Sequence, residues 1–241
     1  MENDVSWEDI LLHGNPVPIE YEGLAPWRLP EASGGTGVLI RTNLGPIKCL
    51  RHRSENSKLG IIWVAGAMGG YNGGGGLYPV LSDELTNVGI TSIRLNYRKP
   101  NDMFNCMLDI FAGVQYLESI GCQRIALVGH SFGGAVVIAA APLNRSVVTV
   151  VGLASQTYGA QYVSMIEPRS LLLVHGQEDI RLGPHCSELI FKLAYEPKKL
   201  VLYPETGHSL RESQGELHEL LTTWLTEKLH ENSTDLNYAG K

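Results

Sequence analysis

The stretch LVGHSFGGAV, residues 127–136, decides the fold because it leaves an apolar run through a glycine-rich turn and returns directly to apolar residues. A G-x-S-x-G sequence between a strand-like run and a helix-like run is typical of a sharp turn that strains its serine and exposes the hydroxyl. Side chains at Gly129 and Gly133 would collide with neighbouring backbone, so both positions require glycine. We predict that Ser131 is a nucleophile at a helix N-terminus, which suits a developing negative charge.

Short apolar runs rich in Val, Ile and Leu recur along the chain and predict about eight strands. Helix-length segments separate the later runs, most clearly at 103–118, where apolar residues fall at three- and four-residue spacing. Strands that are buried on both faces and alternate with helices specify an α/β fold, a doubly wound and mostly parallel sheet with helices on both faces. The first two closely spaced strands predict an antiparallel edge. The runs are GVLIRT, PIKCLR, GIIWVAG, ITSIRLN, RIALVG, VVTVVGLA, SLLLVHG and KLVLYP.

The chain divides into three parts by composition. Residues 1–36 mix Pro, Gly and charges and predict an N-terminal extension over the domain, residues 37–230 form the α/β domain, and residues 231–241 form a polar tail. Only SQTYGAQYVSMIEP and the following Arg169 separate the sixth of the quoted runs from the seventh, and so short a segment cannot form a cap domain. We therefore expect an open site, unless the extension or the glycine-rich loop covers it.

The charge and hydropathy of the chain argue against some classes of partner and location. The net charge is -6 and no basic run exceeds two lysines, which argues against nucleic acid as a partner. No apolar stretch is long enough to span a membrane, and the first residues lack the apolar region of a signal peptide, so we expect a soluble, cytoplasmic protein.

The four cysteines are far apart in the sequence, which predicts reduced thiols. They are Cys49, Cys106, Cys122 and Cys186.

A serine hydroxyl needs a base and the base needs an orienting carboxylate, and both residue types follow later strands. Asp179 comes just after SLLLVHG, and His208 comes just after KLVLYP. Sites in open α/β sheets lie at the carboxyl ends of strands, where Ser131, Asp179 and His208 are all predicted to be. The order nucleophile, acid, base is the one expected. Glu178 is a neighbouring alternative carboxylate, although the spacing favours Asp179.

The other histidines near these motifs receive structural interpretations. His130 and His175 fall at the ends of predicted strands and are interpreted as turn residues. His185 follows a proline at a predicted helix start, and we do not expect it to line the site.

These motifs together resemble the α/β-hydrolase superfamily, and within it the small capless serine esterases of the dienelactone-hydrolase-like branch. The resemblance covers roughly residues 37–230 and rests on GHSFGG, HGQED, ETGH and VAGAMGGYNGGGG. It implies an eight-stranded hydrolase fold and a serine-hydrolase mechanism. Dienelactone hydrolases use a cysteine nucleophile where this chain has Ser131, so their lactone substrate is not transferred. The superfamily's common His-Gly after the third strand is Ala65-Gly66 here, which leaves the second oxyanion donor open.

The family pattern implies an oxyanion hole and a pocket wall. It pairs the N–H of the residue after the nucleophile, Phe132, with an N–H from the loop after the third strand, which is Ala67 or, next, Met68. The run GGYNGGGG lacks the Gly-Lys-Ser/Thr ending of a phosphate-binding loop and is interpreted as a flexible loop near the acyl pocket. The candidates for the pocket wall are Met68, Tyr71, Phe132 and Tyr158, with Tyr162 as a further flanking residue.

The function predicted from the sequence is hydrolysis of a carboxylic ester through an acyl-enzyme, without metal or organic cofactor. A small-molecule ester or thioester is the expected partner. Thioesterase and peptidase activity use the same chemistry and stay open, as does acyl transfer to an alcohol. A ligand-binding protein that retains the triad is the alternative from a different class. The oligomeric state is not predicted.

Overall fold

A computed structural model describes residues 6–28 and 34–231, which form one nine-stranded sheet with helices on both faces. The strand order is β1-β2-β3-β5-β4-β6-β7-β8-β9. The strands are β1 Tyr21–Pro26, β2 Thr36–Thr42, β3 Ile47–His52, β4 Leu59–Val64, β5 Ile90–Asn96, β6 Arg124–His130, β7 Val147–Leu153, β8 Ser170–Gly176 and β9 Lys198–Tyr203.

The predicted mixed topology is confirmed. Strands β5, β4, β6, β7, β8 and β9 pair in parallel, whereas β1, β2 and β3 form an antiparallel edge that joins β5. The sheet has one strand more than the eight predicted. The added strand, β1, lies inside the predicted N-terminal extension, and its sequence YEGLAP is only partly buried. An edge strand of that kind carries no continuous apolar run that sequence patterning could detect.

The helices cover the two faces of the sheet. They are α1 Trp7–His13, α2 Leu77–Glu84, α3 Met103–Ser119, α4 Phe132–Ala140, α5 His185–Leu193 and α6 Gln214–His230. The helix predicted at 103–118 is present with one further residue. Alternate residues of β4 point to opposite faces, so Ile62 and Val64 pack with α3 and α4, whereas Ile61 and Trp63 pack with α2 and α6.

Part of the predicted extension packs on the domain as helix α1. Ser6 caps the helix, since its hydroxyl accepts the N–H of Asp9 while the Asp9 carboxylate accepts the N–H of Ser6. The side chains of Trp7 and Ile10 are buried in the core shared with α3 and α4. In the predicted tail, only Glu231 lies within the described residues.

The connection between β7 and β8 contains no cap domain, as predicted. It forms only a short 3-10 helix, Ala160–Met165, on the α4 side of the sheet. Within the described ranges, every helix is too short or too polar to cross a bilayer.

Candidate active site

The turn between β6 and α4 has the geometry that its glycines predict. Ser131 adopts φ 60° and ψ -119°, a conformation that L side chains rarely take. A Cβ atom on Gly129 would lie 2.1 Å from the carbonyl oxygen of Gly133, and one on Gly133 would lie 2.3 Å from that of Ala65. Both glycines are therefore required for the strand and the helix to approach each other at this serine.

Three residues from different strand ends meet in one hydrogen-bonded row. The Oγ atom of Ser131 lies 3.0 Å from Nε2 of His208, and Nδ1 of His208 lies 2.7 Å from Oδ2 of Asp179. These residues follow β6, β9 and β8, whose carboxyl ends share one edge of the sheet. The neighbouring Glu178 is exposed, and its backbone N–H donates to the carbonyl oxygen of Thr206.

Asp179 is held as an anion by backbone and side-chain donors. Burial alone would raise the pKa of its carboxyl group, but hydrogen bonds from the Leu182 N–H, the His208 ring and the Arg181 N–H together lower that pKa below its ordinary value. A carboxylate at this point accepts the Nδ1 proton of His208. The Nε2 lone pair of His208 is then directed at the Ser131 hydroxyl.

A second histidine binds the same carboxylate, and the sequence interpretation of His175 as a turn residue is incomplete. His175 lies within β8 and is fully buried, with Nε2 at 3.1 Å from Oδ2 of Asp179 and 2.8 Å from the carbonyl oxygen of Leu182. Both partners are acceptors, so Nε2 must carry the proton. In the neutral ring Nδ1 then accepts the hydroxyl of Ser187, 2.7 Å away. A polar residue inside the apolar run SLLLVHG was the available signal.

His130 connects the nucleophile turn to the loop of the candidate base. Its Nε2 atom donates to the carbonyl oxygen of His208 at 2.9 Å, and the two rings lie 5.1 Å apart. Burial lowers the pKa of His130 to about 4, so the ring is neutral near pH 7 and carries its proton on Nε2. The contact fixes the backbone of His208 relative to Ser131. His185, by contrast, is exposed and contacts only Cys186 through its ring nitrogen.

Two backbone segments flank Ser131. Phe132 is the first residue of α4, so the helix offers its N–H no intrahelical acceptor. On the other side, a Cβ atom on Gly66 would lie 3.4 Å from Cβ of Ser131, which places the start of the loop after β4 against Ser131. In the described part of the chain, neither Ala67 nor Met68 donates its N–H to another backbone group. Ala67 and Met68 are therefore both candidates for the second N–H donor to an oxyanion.

The four predicted wall residues lie in different environments. Phe132 is buried with its ring edge-on to Tyr97, and Tyr71 packs against Trp27. Met68 is 92% exposed and Tyr158 is 70% exposed. Tyr158 lines a cavity on the α3 and α4 side of the sheet, together with Tyr162, whereas Met68, Tyr71 and Phe132 do not line that cavity.

Comparison with known proteins relates the chain to others mainly through its fold. No protein-family model matches it. The uncharacterized protein YfhR of Escherichia coli K12 is 29% identical over 118 residues, an alignment that covers 39% of this chain and 42% of YfhR. The YfhR protein of Escherichia coli O157:H7 is 29% identical over the same shares of each chain. The chain thus matches about two fifths of the length of these relatives.

Solved structures of low sequence identity share the architecture. Est1E from Butyrivibrio proteoclasticus superposes with a TM-score of 0.69 at 17% identity, covering 80% of this chain and 98% of Est1E. A lidless α/β serine hydrolase from Xanthomonas campestris superposes with a TM-score of 0.63 at 18% identity, covering 82% of this chain and 98% of that structure. Dienelactone hydrolase from Anabaena variabilis superposes with a TM-score of 0.68 at 14% identity, covering 86% of this chain and 99% of that structure. The chain has the α/β-hydrolase fold without a cap domain.

Proposed function

We propose that this chain is a serine hydrolase that cleaves carboxylic esters through an acyl-enzyme. One observation carries the proposal: Ser131, His208 and Asp179 form a continuous hydrogen-bonded row with distances of 3.0 and 2.7 Å. A hydroxyl becomes an effective nucleophile when a base takes its proton, and the base keeps its orientation through a carboxylate. This arrangement stands on a fold that is shared by solved structures described as an esterase domain and as a serine hydrolase.

In the first half of the reaction, Oγ of Ser131 attacks the ester carbonyl carbon while its proton moves to Nε2 of His208. The carbonyl π electrons move to oxygen, and the N–H groups of Phe132 and Ala67 stabilise the resulting oxyanion. The carbonyl then reforms as the bond to the alcohol oxygen breaks, and His208 returns its proton to that oxygen. Losing one oxyanion donor typically costs about 10²- to 10³-fold in rate.

In the second half, water attacks the acyl-enzyme and gives one proton to His208. The tetrahedral intermediate expels Oγ of Ser131, which recovers the proton from His208, and the carboxylic acid leaves. Asp179 remains an anion throughout and stabilises the cationic imidazole. In this scheme Ser131, His208 and water carry out the proton transfers, and the ester's own carbonyl electrons form and then release the oxyanion.

Labelling with a fluorophosphonate probe tests the proposal, since such probes react with activated serines. We expect an adduct at Ser131 in the wild type and none in Ser131→Ala, which should also lose about 10³-fold or more of p-nitrophenyl acetate hydrolysis. Ser209→Ala, next to His208 in sequence, is the matched control. Equal hydrolysis by Ser131→Ala would contradict the mechanism.

The same experiment separates the proposal from a binding protein that retains the triad. A native protein that forms no adduct at Ser131 would favour the binding protein. Assays of matched acetyl esters, thioesters and anilides then rank the leaving groups, because all three share the acyl-enzyme step.

A further inference from the structure

A cavity of about 870 Å³ lies beneath helix α1, on the side of the sheet covered by α3 and α4. Residues 6–8 of α1 and its cap form one wall, the first half of α3 forms a second, and the segment 158–162 forms a third. The volume falls in the range of small-molecule binding sites, about 300–1,000 Å³. The ester chemistry described above does not use this space.

The walls of the cavity combine ten aromatic or aliphatic residues with six polar ones. The polar lining residues are Ser6, Glu8, Lys99, Asp102, Asn105 and Gln161. Apolar walls with a few polar groups are typical of sites that bind the hydrocarbon part of a ligand. The aromatic and sulfur-containing lining residues are Trp7, Phe104, Tyr158, Tyr162, Met103 and Met107.

Two loops that line the cavity also contact the nucleophile turn. The N–H of Gln156 donates to the carbonyl oxygen of Ser131 at 3.4 Å, and Tyr158 follows two residues later. Since consecutive Cα atoms are about 3.8 Å apart, the Cα of Tyr158 lies within about 8 Å of that of Gln156. On the other side, the ring of Tyr97 packs edge-on against Phe132, and Lys99 follows two residues later. Two segments that line the cavity thus continue, within two residues, to a contact with the turn that carries Ser131.

We propose that this cavity binds an apolar, ring-bearing substituent of the ester whose carbonyl group reacts at Ser131. The inference rests on the proposed function and names the substrate class for it. Aromatic walls favour a ring because offset and edge-to-face ring contacts contribute about 0.5–1.5 kcal/mol beyond burial. Methionine sulfur next to a ring adds a further favourable contact.

Helix α1 forms one wall of the cavity and makes two contacts with the other walls through its first turn. The hydroxyl of Tyr162 donates to Oε1 of Glu8 at 2.6 Å, which connects the helix to the segment after β7. The ring of Trp7 meets that of Phe104 edge-on at 6.2 Å. The segment predicted to be an extension thus supplies one wall of the proposed binding site.

Two substrate series test the assignment and tell the acyl side of the ester from the alcohol side. The first compares p-nitrophenyl 3-phenylpropanoate with p-nitrophenyl acetate, and the second compares 2-phenylethyl acetate with ethyl acetate. We expect the ring to raise kcat/KM by about 10-fold or more in one series, the scale on which apolar pockets discriminate. A ring that raises kcat/KM in neither series would overturn the proposal.

A pair of variants on one 3-10 helix localises the effect. Gln161 is exposed and lines the cavity, so Gln161→Trp should fill it and lower the ring-to-acetate ratio by about 10-fold. Met165 is 39% exposed and does not line the cavity, so Met165→Trp is the matched control and should keep the ratio. Equal losses in both variants would place the effect outside the cavity. Tyr158→Ala removes an exposed ring from the cavity wall and should also lower the ring-to-acetate ratio of kcat/KM. This variant replaces Gln161→Trp in the test if Gln161→Trp does not fold.

Binding to an inactive variant distinguishes the two proposals. We expect the amide that carries the ring on the side favoured in the ester series, 3-phenylpropanamide for the acyl side or N-(2-phenylethyl)acetamide for the alcohol side, to bind Ser131→Ala in calorimetric titration. Ser131→Ala combined with Gln161→Trp should lose that binding. If the wild type hydrolyses acetate esters while Ser131→Ala binds no amide, the cavity proposal fails alone. If the amide binds while the wild type hydrolyses no ester, the proposed function fails alone.

Discussion

The Nε2 atom of His130 lies 2.9 Å from the carbonyl oxygen of His208, so the residue before the candidate nucleophile holds the backbone of the candidate base. Strands β7 and β8 lie between β6 and β9 in the sheet, so this contact spans the site above two intervening strands. It requires a proton on Nε2, which the neutral ring supplies. His130 therefore connects the backbone positions of the candidate nucleophile and the candidate base.

This contact predicts a pH dependence of stability. Burial lowers the pKa of folded His130 to about 4 from the ordinary 6.5. Between these values the unfolded chain binds a proton that the folded chain does not, so the free energy of unfolding falls as the pH falls from about 6.5 to 4, by up to about 3 kcal/mol. His130→Gln keeps an amide donor and should remove this loss. Urea denaturation at pH 7 and at pH 4.5 measures this loss in the free energy of unfolding.

The control for that measurement is His13→Gln, since His13 is exposed on α1. Its stability should change with pH as that of the wild type does. A His130→Gln variant that loses as much stability on acidification as the wild type would contradict the assigned role of the ring.

The hydrogen bond between Asp179 and His208 predicts that substitutions at two neighbouring acidic residues have very different effects on activity. Asp179→Asn presents an amide where Nδ1 of His208 needs an acceptor, which favours the wrong ring tautomer. We expect kcat to fall by about 10⁴-fold, as loss of the triad carboxylate typically does. Glu178→Gln alters an exposed side chain and should retain activity. Steady-state hydrolysis of p-nitrophenyl acetate compares the two, and similar losses in both would contradict the assignment of the acid to Asp179.

His175 is expected to act as a positioning residue for Asp179. His175→Ala removes a buried donor from the carboxylate and leaves Ser187 without its ring partner, which should lower stability by about 1–3 kcal/mol. Because the change acts on the orientation of His208, kcat should fall while KM stays near its wild-type value. His175→Gln can return an N–H donor and should recover part of kcat. Recovery of stability without any recovery of kcat would indicate a purely structural role.

Sequence patterning predicted the proximity of the three candidate residues better than it predicted their surroundings. Ser131, Asp179 and His208 could be placed because strand-end positions in a parallel sheet follow from patterning along the chain. The contact between His175 and Asp179 depends on how the turn after β8 folds back, and no local pattern encodes that distance. Strand β1 was missed because an edge strand with Gly and Pro lacks a continuous apolar run.

The backbone strain at Ser131 predicts a stability difference between two inactive variants. Ser131→Ala and Ser131→Gly both remove the hydroxyl and its hydrogen bond to His208, and they differ only in the Cβ atom. At φ 60° and ψ -119° that atom is unfavourable, and glycine adopts such angles without steric cost. Ser131→Gly should therefore be more stable than Ser131→Ala by about 1 kcal/mol, measured by thermal or urea denaturation. In the regular part of α4 the order should reverse, since Ala135→Gly places glycine in a helix interior and should destabilise by at least about 0.5–1 kcal/mol. A Ser131→Gly variant less stable than Ser131→Ala would mean that the serine backbone is not strained, and the sharp turn would then need another explanation.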